Sequence, residues 1–144
     1  MNERTDNCVV VFAAKSVDRR ILDEGGTSSW ILKRDRALKC VVAVCVRNAK
    51  TSWGERSDHP HRSAFLVGKV RNVVLASPYD RPYLKEPPHT QGRYLIEFSE
   101  YALVSIENVK GHRKSVNYVR IEALGVDLSA LKWEPIRQVR GSVR

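Results

Sequence analysis

Two histidines stand two residues apart in "SDHPHR", with Asp58 ahead of His59 and Pro60 between His59 and His61. On a strand, alternate residues share a face, so an H-x-H pair can reach one metal ion together. Here the pair flanks a proline in a polar loop. A metal centre needs three or four positioned ligands and a supporting shell of hydrogen bonds. His89 and His112 are the remaining histidines that could join the set. The expectation is a polar turn and no metal.

Hydrolytic chemistry asks for other patterns. The chain has no G-x-S-x-G, no P-loop and no H-E-x-x-H. Glu97, Glu100 and Glu107 are spread along one stretch. Glu97 and Glu100 face opposite ways in a regular strand and meet only across a bulge. Two-metal catalysis needs a carboxylate cluster. The chain is therefore read as no enzyme, with no catalytic residue and no cofactor; a metal-dependent nuclease or deaminase would have to carry bound metal.

Cations give the third chemistry. "RNAKTSWGERSDHPHR" (47–62) holds Arg47, Lys50, Arg56, Arg62 and an indole, Trp53, among polar neighbours. "KGHRKSVNYVR" (110–120) holds Lys110, Arg113, Lys114 and Arg120 without an acid, with Tyr118 interleaved. Such charges neutralise backbone phosphates, and aromatic faces accept stacked bases. Arginine's planar fork also matches phosphate and guanine edges. For any single residue a solvated surface explains as much; the case rests on the segments occurring together.

The elements that must position these groups are legible in part. "CVVVFAA" (8–14) and "CVVAVCV" (40–46) are continuous β-branched runs, which predicts strands covered on both faces. Ser16 can cap a short helix that Gly25 ends. "TSSWILKRDRALK" (27–39) reads either as one helix or as a short strand at Trp30-Ile31-Leu32 before a single helical turn. In "SAFLVGKVRNVVLA" (63–76), Ala64, Leu66, Gly68, Val70 and Val74 are expected on one face and Lys69 and Arg71 on the other. In "RYLIEFSEYALVS" (93–105), Tyr94, Ile96, Phe98, Ala102 and Val104 are expected on one side, with a bulge or strand end at Glu100. Four prolines make 77–92 a long loop. After it, "VNYVRIEALGVDLSALKWEPI" predicts a short helix ended by Gly125, then one turn capped by Asp127 and stopped by Pro135.

The whole chain sets the frame. Its 144 residues suit one domain with a real core. Twenty-five Lys and Arg against sixteen Asp and Glu leave a formal charge of +9, a field that draws in polyanions or acidic proteins. Cys8, Cys40 and Cys45 form no C-x-x-C pair and are expected as small core side chains. No apolar run is long enough to span a bilayer, and "MNERTDNC" lacks a signal-peptide core, so a soluble cytoplasmic protein is expected. The fold expected is a small α/β (α+β) domain over residues 1–136, built on a curved sheet or half-open barrel with short flanking helices. Residues 137–144 would be a basic, flexible tail.

Three stretches together resemble the PUA-like superfamily, which includes the EVE and ASCH domains. They are "SSWILKRDRALKCVVAVCV", "SAFLVGKVRNVV" and "GRYLIEFSEYALV", spanning about residues 28 to 105. The lysine and glutamate pattern of ASCH domains is not evident, so no catalytic role is carried over. The resemblance implies a pseudo-barrel that binds RNA or DNA, several relatives holding a flipped, often modified base between aromatic walls. Extruding a base costs a few kcal/mol, which stacking and edge hydrogen bonds must offset. On this sequence the pocket would be built from Trp30, Asn48, Trp53, Ser99, Glu100 and Tyr101. Asn48 would read a base edge and Glu100 would accept from an exocyclic amine. The backbone grip would fall to Arg47, Lys50, Arg62, Lys69, Arg71, Arg113 and Lys114. The rival expectation is a small protein-interaction module, an inhibitor or adaptor, whose basic face docks on an acidic partner or occupies another protein's nucleic-acid channel.

Overall fold

The β-branched runs become two neighbouring parallel strands in the interior of the sheet. In the computed structural model, residues 6–14, 21–22, 25–48, 62–75, 93–107, 109 and 115–136 are described. Strand β1 (Cys8–Ala14) pairs in parallel with β3 (Val42–Asn48), Val9 opposite Ala43 and Val11 opposite Cys45. Around them run β2 (Gly26–Ile31), β4 (Ala64–Leu75), β5 (Arg93–Ile106), β6 (Val116–Val119) and the two-residue β7 (Glu134–Pro135). All seven form one open mixed sheet in the order β2-β5-β4-β3-β1-β6, with β7 added beside β5. The architecture is that of a small α+β domain dominated by strands.

Both faces of the inner strands are covered, as continuous apolar runs require. Val9, Val11, Ala43 and Cys45 point into one apolar cluster with Phe65, Leu66, Ile96 and Phe98. Trp30 from edge strand β2 and Tyr118 from edge strand β6 pack against that same cluster, so the sheet wraps around it. Cys8, Val10, Val42, Val44 and Val46 point the other way, where Ala64, Val67, Val109 and Ile121 join them. Burying one valine stabilises by about 1.5–3 kcal/mol, and these two strands hold six that are fully inaccessible, Val9, Val10, Val11, Val42, Val44 and Val46, with Val67 and Val73 across on β4. That density fixes the register.

The segment 27–39 takes the strand-then-turn form. After β2, one helical turn α1 (Arg34–Leu38) lies along β4, where Arg34 Nε donates to Val73 O at 2.6 Å. Gly25 adopts φ 79° and its N–H donates to Ile21 O at 2.9 Å, the left-handed stop expected there. Toward the C-terminus, two 3-10 turns (Ile121–Leu124 and Leu128–Ala130) replace the expected α-turns. Gly125 ends the first at φ 75°, and Asp127 caps the second through Ser129 N–H at 3.1 Å.

The simple alternation expected of β4 and β5 does not hold, because bulges rotate their faces. Cys45 pairs Leu66 while Val46 pairs Ala64, which leaves Phe65 as an extra residue of β4. Leu66 therefore joins Phe98 on one face and Ala64 joins Val67 on the other. Gly68 pairs Tyr101 while Val70 pairs Phe98, so β5 carries an extra residue at Ser99–Glu100. The strand continues through it to Ile106, and Val104 lies on the face opposite Phe98. No helix among the described residues is long and apolar enough to cross a membrane.

Candidate functional site

One end of the sheet gathers the roots of the basic segments. The parallel strands β1 and β3 both finish there, at Ala14 and Asn48. Antiparallel β6 starts there, with Phe12 N–H donating to Ser115 O at 3.0 Å. Strand β4 begins and β5 ends there, Ala64 opposite Ile106. Segments 15–20, 49–61 and 110–114 thus attach at this one end. Counted from sequence, they carry two, no and three net positive charges, together five of the nine.

Arg62 stands where these strands meet. Its backbone N–H donates to Arg47 O at 2.8 Å, and its carbonyl accepts from Val109 N–H at 2.9 Å. Arg47 N–H in turn donates to Ser63 O at 2.8 Å. The half-buried Arg62 side chain returns to Val109, Nη1 donating to its carbonyl at 3.2 Å, with the guanidinium 6.0 Å from the Phe12 ring centroid. This geometry holds Arg62 at φ 70°, and it is the one non-glycine residue described with positive φ. For an L-residue with a Cβ that conformation costs about 1–2 kcal/mol.

Arg47, expected among the phosphate-gripping cations, turns into the core. Its relative exposure is 0%, and its guanidinium lies 4.7 Å from the Phe65 ring centroid. The cause is strand alternation: Arg47 follows Ala43 and Cys45 on the face turned into the core.

Two other expected residues meet each other. Lys69 Nζ lies 2.6 Å from Glu100 Oε1 and 4.6 Å from the Trp133 ring centroid. Trp133 packs against the Val44 face and donates from Nε1 to Leu128 O at 3.1 Å. Ser99, beside Glu100 in the bulge, is exposed, and its carbonyl accepts from Ile136 N–H at 3.2 Å. Tyr101 is half-buried against the Phe98 face, and Arg71 is exposed on β4.

Trp30 lies elsewhere. It pairs Tyr94, which pairs Leu75, at the end of β4 opposite Ala64. Its Nε1 donates to Thr27 Oγ1 at 3.0 Å and its ring packs on the core. Tyr118 of the basic segment is likewise half-buried: Arg36 lies 4.1 Å from its ring centroid, and burial raises its phenol pKa above the ordinary value. Arg120 faces Glu122 at 3.3 Å.

Trp53, Lys50, Arg113 and Lys114 lie outside the described residues, as do Asp58, His59, His61, His89, His112, the loop 77–92 and the tail 137–144. Asn48 is described as the last residue of β3. Among the described residues no three His, Cys, Asp or Glu side chains are grouped to hold a metal ion. The three cysteines are free and buried; burial drives the Cys8 thiol far up and pushes Cys40 from 9.0 up to about 11. Neither is a thiolate at neutral pH, so neither is poised as a nucleophile.

The sequence did not foretell the left-handed backbone at Arg62, since glycine, asparagine or aspartate usually occupies it. Nor did it foretell Trp133 beneath Lys69, a contact between distant segments. Compared with protein-family models, with curated proteins and with solved structures, the chain has no match.

Proposed function

We propose that this chain is a non-enzymatic nucleic-acid-binding domain of PUA-like type, in which basic loops grip the backbone and an aromatic-lined pocket takes a modified or flipped base. The observation that supports it is that the described residues Ala14, Asn48, Arg62, Val109 and Ser115, from which segments 15–20, 49–61 and 110–114 depart, share one end of the sheet, and by sequence those segments carry five net positive charges and Trp53. Charge clustered in this way supplies the salt-dependent, sequence-independent part of binding. Base reading would then fall to Trp53 and Asn48, which flank that same end in sequence.

The test is a filter-binding or mobility assay with short single- and double-stranded DNA and RNA at moderate salt. Micromolar or tighter binding is expected. Arg113→Ala with Lys114→Ala should weaken every sequence alike and flatten the salt dependence. No binding by any oligonucleotide, with a stable complex to an acidic protein, would transfer the assignment to the rival. That rival has one observation of its own: Ile31, Leu38 and Val41 are exposed apolar residues around α1, beside exposed Lys33, Arg34 and Lys39.

A further inference from the structure

We infer that Arg62 is a preset clamp for a single phosphate group, a fixed fork at the base of the basic segments rather than one more diffuse charge. The inference rests on the nucleic-acid reading for its natural ligand, a phosphodiester, and on the geometry of Arg62 for everything else.

Three features of that residue converge. Its backbone is tied to two neighbours, Arg47 and Val109, and held at φ 70°. A glycine would relieve that conformation, so the strained backbone is explained by a need for the side chain. The guanidinium is also anchored rather than free. One of the five N–H donors that a guanidinium carries is spent on Val109 O, and its carbon lies 6.0 Å from the Phe12 ring centroid. Finally, no carboxylate among the described residues forms an ion pair with it.

Three of the other described cations are held by carboxylates, and Arg34 shares with Arg62 an anchor to a backbone carbonyl but lies exposed. Arg36 is paired with Asp6 at 2.8 Å, Lys69 with Glu100 and Arg120 with Glu122. Arg47 is buried over Phe65. Arg62 is instead half-buried and oriented, with one donor bonded to Val109 O and no carboxylate partner among the described residues. A guanidinium matches two oxygens of one phosphate in a parallel fork, and preorganisation lowers the ordering cost of forming it.

The experiment uses the full chain, a labelled twelve-nucleotide single strand, and inorganic pyrophosphate as a separate probe. Arg62→Lys keeps the charge and loses the fork, whereas Arg62→Gly removes the side chain and relaxes the backbone. Both should retain a cooperative thermal transition. Oligonucleotide affinity should fall about tenfold to a hundredfold in each, the range for charged hydrogen bonds. The Arg62 Nε–Hε resonance, assigned by its loss in Arg62→Lys, should shift saturably with pyrophosphate.

The outcomes separate the two ideas. Oligonucleotide binding that Arg62→Lys leaves within threefold, with no shift of the resonance, overturns the clamp and leaves the nucleic-acid reading standing. A pyrophosphate shift without binding of any oligonucleotide upholds the clamp and sinks that reading. Silence in both assays overturns both.

Discussion

The Lys69 ammonium is held between the carboxylate of Glu100, 2.6 Å away, and the face of the Trp133 ring, 4.6 Å from its centroid. Both charged groups were expected in the binding surface, and in the fold each occupies the other. The pair also ties β4, β5 and the C-terminal segment together at the Ser99–Glu100 bulge.

Glu100→Gln should release Lys69 and raise the formal charge from +9 to +10. The exposed pair contributes about 0–1 kcal/mol, so the melting temperature should barely move. Oligonucleotide affinity should rise about twofold to fivefold at low salt and the salt slope should steepen. If the carboxylate accepts from a base amine, affinity falls instead; titration at two salt concentrations separates the cases.

Arg47→Ala should be read in stability and not in binding slope. It empties the space over Phe65 and removes a fully buried side chain, a loss of about 2–4 kcal/mol. Urea denaturation measures it. A large change in salt slope with unchanged stability would return Arg47 to the ligand-contacting set.

Gly68→Ala should destabilise by about 1–3 kcal/mol, because a Cβ there would clash with Cγ and both Cδ carbons of the Phe98 ring. Phe98→Leu should reduce the effect when combined with it, a coupling that a double-mutant cycle detects.

The thiols predict an alkaline limit. Folded Cys40 holds its proton to about pH 11 while an unfolded thiol releases it near 9.0, and Cys8 holds it longer. The folded state then binds more protons between those values, so stability falls as pH rises through that window and is unaffected below it. Thermal melts from pH 8 to 11 should show the decline, and Cys40→Ala should make it shallower. At pH 8 the native thiols should react with a disulfide reagent far more slowly than in denaturant.

Fold and site were not equally legible. The runs 8–14 and 40–46 announced inner strands because only a doubly covered strand tolerates valine at every position. Gly125 and Asp127 announced turn ends through local chemistry. The bulge at Ser99–Glu100 was marked by Glu100 breaking the apolar series, whereas the one at Phe65 left no local mark, since it arises from fitting β4 against two neighbours at once. The faces assigned to Ala64 and Val104 failed because simple alternation was carried through these irregularities. Arg47 was legible in principle: counting by twos from Ala43 and Cys45 turns it inward, but its charge argued for the surface. Trp30, in the apolar triplet Trp30-Ile31-Leu32, was legible as a core residue, and its place beside Tyr94 depends on strand pairing no spacing encodes.

Strand β1 closes the sheet across nearly the whole chain: Cys8 pairs Val119, and Asn7 Oδ1 accepts from Ile121 N–H at 2.7 Å. A ribosome must therefore deliver residue 121 before the first strand is flanked on both sides. Until then a row of valines presents an open backbone ladder, the situation in which nascent chains need shielding from one another. Topology of this kind also slows folding, since the longest loops must close first. Truncation at Ile106 would leave that ladder open and should make the protein aggregate, which light scattering against the full chain would read.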